Sequence, residues 1–96
     1  MEPPYQKDYK KFYTIGDCEW EVKFVRNFPS RPSDTGQCDP GNYTIRIKAG
    51  ESREEKFLTF IHEIIHAFED EYNFELKHEH VYKLERAIAD FIVQNF

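Results

Sequence analysis

Three residues past the middle of the chain, His62, Glu63 and His66, have the types and the spacing that metal-assisted hydrolysis needs. They fall in His62-Glu63-Ile64-Ile65-His66, an H-E-x-x-H run. On an α-helix, positions i and i+4 stack one turn apart on the same face, so two imidazoles there can grip one ion. Glu63 is turned from the first histidine by about 100°. It can therefore reach a water on that ion without being a ligand itself. Zinc brings the pKa of such a water to about 7, and the carboxylate can take its proton as general base. Two histidines four apart can also be plain polar surface residues. Here the surrounding run, Phe57 to Phe68, is too apolar for a solvated face. Charged and polar groups inside it cost desolvation unless something binds them.

A catalytic zinc site takes three protein ligands and leaves one position open. Downstream candidates for the third are His78, Glu79, His80 and Glu85. They lie on an expected second helix, from about Lys77 to Gln94, whose inward face is read as Val81, Leu84, Ile88, Phe91, Ile92 and Asn95. Measured around the axis from Val81, Glu85 falls about 40° away and His78 about 60°, while Glu79 points almost opposite and His80 about 100° off. If the helical hairpin turns near Glu75, Glu85 is level with the two histidines and His78 lies on the order of 10 Å further along. Glu85 is thus the first expectation and His78 the alternate. Tyr82, about one turn before Glu85, is a candidate for stabilising an oxyanion, or simply a surface tyrosine.

The elements that must position these residues can be read in order. Residues 1–9 are polar with two prolines and read as a loose arm. Lys10–Ile15 and Cys18–Arg26 alternate apolar and polar, as half-buried strands do, with Gly16-Asp17 as a tight hairpin turn between them. Asn27–Asn42 carries Pro29, Pro32, Pro40, Gly36 and Gly41 and reads as one long irregular segment. Tyr43, Ile45 and Ile47 alternate with Thr44, Arg46 and Lys48 in a third strand, ended by Gly50. Ser52-Arg53-Glu54-Glu55 is a capping box that starts the first helix near residue 53. On it Phe57, Ile61, Ile64, Phe68 and Tyr72 form an apolar stripe, with the histidines at its border, and Asn73 is the expected stop. The expectation is an α+β fold: a small antiparallel three-stranded sheet followed by two antiparallel helices, in a single domain over residues 1–96.

Composition narrows the function. Ninety-six residues carry 13 Lys+Arg against 18 Asp+Glu, for a formal charge of −5, and no basic cluster that would favour nucleic acid. Nine Phe, six Tyr and one Trp supply a large apolar area for a small core. The start, Met1-Glu2-Pro3-Pro4-Tyr5, lacks the basic and apolar regions of a signal peptide, and no run approaches the ~20 apolar residues of a membrane span. Cys18 and Cys38 form no C-x-x-C pair. A cytoplasmic protein without membrane or nucleic-acid partners is expected.

HEIIH followed by Glu85 resembles the gluzincin pattern of zinc peptidases. The stretch Tyr43–Phe96 resembles small, often phage-encoded metallopeptidases of the ImmA/IrrE-like and minimal-gluzincin kind. That resemblance implies a minimal zincin-like domain, with His62, His66 and Glu85 as Zn2+ ligands and Glu63 as base. It further implies a protein or peptide substrate held in extended form along the Tyr43–Ala49 strand, taken as a sheet edge. Ala89 departs from the pattern, standing where gluzincins often place an acidic group. SprT-like families also read much like HEIIHAF but take a later histidine as third ligand, which keeps His78 in play. Two functions follow: a zinc-dependent peptidase, or a zinc-binding interaction module with little or no catalysis. Glu63 favours the first, since a purely structural site has no use for a base.

Overall fold

The computed structural model describes residues 9–96. In chain order the elements are β1 (Phe12–Ile15), β2 (Cys18–Val25), β3 (Gly36–Asp39), a 3₁₀ turn over Pro40–Asn42, β4 (Thr44–Lys48), α1 (Arg53–Tyr72) and α2 (His78–Asn95). The result is an α+β arrangement of one four-stranded sheet and two packed helices.

Alternation builds the sheet. Trp20 and Val22 of β2, Ile45 and Ile47 of β4 and Ile15 of β1 point to one face, where Ala67 of α1 packs against them. The turn between β1 and β2 places Gly16 at φ 60, which a glycine adopts without strain. A second apolar cluster, formed by Phe57, Ile61 and Ile65 of α1 with Val81 and Ala89 of α2, lies between the helices. α1 therefore has two buried sides, one on the sheet and one on α2. Its start is capped by Ser52, whose Oγ accepts from the Glu55 N–H at 3.1 Å. The return half of the expected capping box, from the Glu55 carboxylate to the Ser52 N–H, is absent among the described residues. The stop falls as expected on Asn73, held in the left-handed region at φ 55.

The sheet differs from expectation in three ways. It has four strands in the order β1-β2-β4-β3, and it is mixed rather than antiparallel, because β4 runs parallel to β2. The additional strand, β3, comes from the end of the segment read as irregular; four residues reading Gly-Gln-Cys-Asp carry too little apolar alternation to betray a strand. The Tyr43–Ala49 strand is also no edge. β4 is paired with β2 on one side and with β3 on the other, so β3 is the free edge on that side of the sheet.

The helices differ in detail. Ala89 is buried in the helix interface, whereas Leu84 and Phe91, expected to face inward, are 41% and 59% exposed. A small side chain at the crossing lets the two backbones approach, and this rotates the larger residues outward. Phe68 and Tyr72, expected in the apolar stripe, are exposed as well, with their rings edge-on to each other. Of the expected arm, residues 1–8 lie outside the described residues. Tyr9 packs its ring at a tilt against Phe24 and edge-on against Phe60, with centroids 5.3 and 5.1 Å apart. No helix among the described residues is long and apolar enough to cross a membrane.

Candidate metal centre

α1 runs along the floor of a cleft of about 1190 Å³. One wall is the approach to β3 and β3 itself; the other is the link after α1 and the first half of α2. His62, Glu63 and His66 lie on the floor, half-buried, buried and half-buried respectively. One ligand atom from each can be chosen so that all three lie within 4.8 Å of one another, a group that could hold a metal ion.

The two histidines are oriented from behind. Glu69, one turn after His66, places Oε1 2.5 Å from His66 Nδ1. Its other oxygen accepts the Leu76 N–H at 2.7 Å. Burial alone would raise the Glu69 pKa, but the Leu76 N–H and His66 outweigh it and leave the carboxyl below its ordinary value. Glu85 of α2 stands 3.3 Å from His62 Nδ1. A carboxylate can only accept at Nδ1, so each ring carries its proton there and turns the lone pair of Nε2 inward. These two Nε2 atoms are 3.2 Å apart. Two lone pairs at that separation repel unless a proton or a cation lies between them. Two nitrogens bound tetrahedrally to one zinc at about 2.0–2.1 Å would be separated by about 3.3 Å. Burial is the main cause that lowers the His62 pKa, with Glu85 opposing it, so the ring favours its neutral, ligand-competent form.

Glu63 is 6% exposed and makes no hydrogen bond or ion pair among the described residues. Burial, then the charges of Glu85 and Asp34, raise its pKa to about 7. Its carboxylate lies against β3 at Gly36, where a Cβ would come within 2.8 Å of Oε2 and 2.4 Å of Thr59 Cγ2. Only the lack of a side chain there lets the strand close over the carboxylate.

The other sequence candidates separate clearly. His78 stands near the pair, its ring centroid 6.5 Å from His62 and 6.0 Å from His66. It is nearer than the helical-hairpin register suggests. The Leu76 N–H donates to Glu69 and so ties the link to α1 beside His66, and the His78 ring at the start of α2 lies 6.0 Å from that of His66. Tyr82 adds a ring 5.2 Å from His62 and 6.0 Å from His78. His80 is exposed and lies beside Glu79, outside the group. Glu69 was not among the residues picked from sequence, although its position three after His66 is the spacing at which one helical side chain reaches another. Gly36 had no local signal, since its role depends on a strand brought from elsewhere in the chain. No family model, curated protein or solved structure matches this chain.

Proposed function

We propose that the protein is a zinc-dependent peptidase. The observation that carries this reading is the pair of inward-facing Nε2 atoms, 3.2 Å apart, each on a ring held from behind by a carboxylate. Bound zinc would supply the Lewis acidity that activates a water near neutral pH and polarises a carbonyl. His62 and His66 would hold the ion through Nε2. For the third ligand, His78 is favoured over Glu85. Three imidazoles around one tetrahedral ion have centroids on the order of 5 Å apart, close to the 6.0 and 6.5 Å seen for His78. Glu85 contacts the far nitrogen of His62, where it orients the ring.

Glu63 then accepts the proton of the attacking water, a role suited by a pKa near the working pH. Its burial keeps the carboxylate aimed into the cleft, and Gly36 fixes its distance from the β3 wall. The Tyr82 ring, 5.2 Å from that of His62, supports a role for its hydroxyl as donor to the oxygen on which charge develops. An extended peptide would lie along β3, the edge strand, since β4 has no free backbone groups to offer.

Zinc titration and peptidase assays of four variants test this. His62→Ala and His66→Ala lose stoichiometric zinc. Glu63→Gln keeps zinc and loses hydrolysis. His78→Ala loses the zinc-dependent rise in melting temperature, whereas Glu85→Ala weakens it; the reverse order assigns the third ligand to Glu85. A Glu63→Gln protein that still cleaves as fast as its parent would falsify the mechanism.

A further inference from the structure

The charge of the cleft is lopsided. Seven carboxylates line it against two guanidinium groups, and both of those are already engaged. Arg31 pairs with Asp34 at 3.2 Å, and Arg86 lies 3.8 Å from both Glu54 and Asp90. Glu55, Asp70 and Glu75, by contrast, are exposed and form no ion pair among the described residues. Glu55 is free because its return half of the capping box is not made. The buried, unpaired carboxylate of Glu63 opens into the same cleft. A chain segment entering here meets negative charge that no protein cation neutralises.

The positions of these groups matter as much as their number. Glu55, His62, His66 and Asp70 follow one another along α1 at helical spacing, and all line the cleft. At 1.5 Å per residue, Glu55 lies about 10 Å before the histidine pair and Asp70 about 6 Å after it. An extended polypeptide advances about 3.3 Å per residue, so the two carboxylates stand within about three residues on either side of the metal position. Glu75 reinforces the Asp70 end from the link.

We propose that the cleft takes a cationic polypeptide segment, with Lys or Arg side chains within about three residues of the bond presented to the centre. This rests on the peptidase reading for the word bond, but not for the charge preference. Ionic contacts on both sides of the centre hold the segment in place and speed its approach. An acidic segment is repelled at both ends.

The experiment uses the full chain loaded with zinc and three peptides of equal length and apolar content, one flanked by Lys and Arg, one by Gln, one by Glu. Binding is measured by fluorescence anisotropy on the Glu63→Gln protein at low and high salt. The basic peptide should bind at least about 5-fold tighter than the neutral one, the acidic one more weakly, and the gap should shrink with salt. Glu55→Gln and Asp70→Asn should each weaken the basic peptide by about 2- to 5-fold, with melting temperature and zinc content unchanged. Equal binding of all three peptides, binding of none, or a preference that survives both substitutions overturns the inference. Hydrolysis by the parent protein separates the two readings. A charge preference in binding with no peptide cut keeps this inference and sinks the peptidase reading; equal cutting of all three does the opposite.

Discussion

Glu69 grips His66 and Leu76 at once, one oxygen on the imidazole Nδ1 and the other on the backbone N–H of the link. A single carboxylate thus sets the tautomer of a candidate ligand and the point where the chain turns from α1 toward α2. Glu69→Ala should therefore fail twice. Metal affinity should fall by about 10- to 100-fold, as expected when the group behind a ligand histidine is lost. Stability in the presence of a chelator should also fall by about 1–3 kcal/mol, because the Leu76 N–H loses its acceptor. Glu69→Gln, which can still accept from Leu76, should recover most of the stability. Melts with zinc and with chelator separate the two effects, and an unchanged chelator melt for Glu69→Ala would remove the structural half.

Gly36→Ala is expected to destabilise the protein by about 1–3 kcal/mol, since the new methyl would meet Thr59 Cγ2 at 2.4 Å and Glu63 Oε2 at 2.8 Å. The second substitution Thr59→Ser removes the nearer obstacle and keeps a hydroxyl facing Thr35. In the double variant most of the lost stability should return, while the proposed hydrolysis should be impaired, because the Glu63 contact remains. A denaturant double-mutant cycle showing no coupling between positions 36 and 59 would contradict the close approach.

Trp20 is fully buried, and its indole N–H donates to Glu71 Oε1 at 3.0 Å. Glu71→Leu should cost about 1–3 kcal/mol by leaving that donor unpaired, and Glu71→Gln much less. Since Trp20 is the sole tryptophan, its fluorescence reports both the local change and the unfolding transition.

Two half-buried groups predict weakening in alkali. Burial, followed by the charges of Glu63 and Asp70, pushes the Cys38 thiol from 9.0 up to about 12. Burial, followed by Tyr13, pushes the Tyr9 hydroxyl from 10.0 up to about 12. Each group holds its proton more tightly folded than unfolded. Their contribution to stability is complete below the ordinary values and is lost as pH rises through about 9 toward about 12. Denaturation midpoints taken across that range should fall, and Cys38→Ala with Tyr9→Phe should flatten the decline. The same shift makes Cys38 slow to alkylate near pH 8, since the thiolate is the reactive form.

What sequence alone conveys here is local. The His62, Glu63 and His66 spacing, the Ser52 cap and the Asn73 stop each depend on a few neighbours along the chain, and each is found where those neighbours put it. β3 depends instead on its pairing with β4 and on Gly36 fitting beneath Glu63, neither of which leaves a pattern within its own four residues. The nearness of His78 was hidden for a similar reason. It depends on one side-chain bond, between Glu69 and Leu76, that ties the link to α1. The outward turn of Leu84 and Phe91 reflects the choice of Ala89 at the helix crossing, which hydrophobicity alone ranks below a phenylalanine.

The placement of β4 bears on the order of assembly. It is the last strand to be synthesised yet sits between β2 and β3, to which a turn of only Pro40 to Tyr43 ties it. A strand does not thread between two neighbours that are already joined, so β3 and β4 should zip together first and reach β2 as a preformed ribbon. The non-local closure of that ribbon onto β2 is the slow event. Pulse-labelled hydrogen exchange should find the amides of Gln37 and Arg46, which face each other across β3 and β4, protected together, ahead of those exchanged between β2 and β4. The wall that closes over Glu63 and the centre of the sheet would then be acquired in one kinetic step, leaving no partly folded species that has the sheet but lacks the cleft.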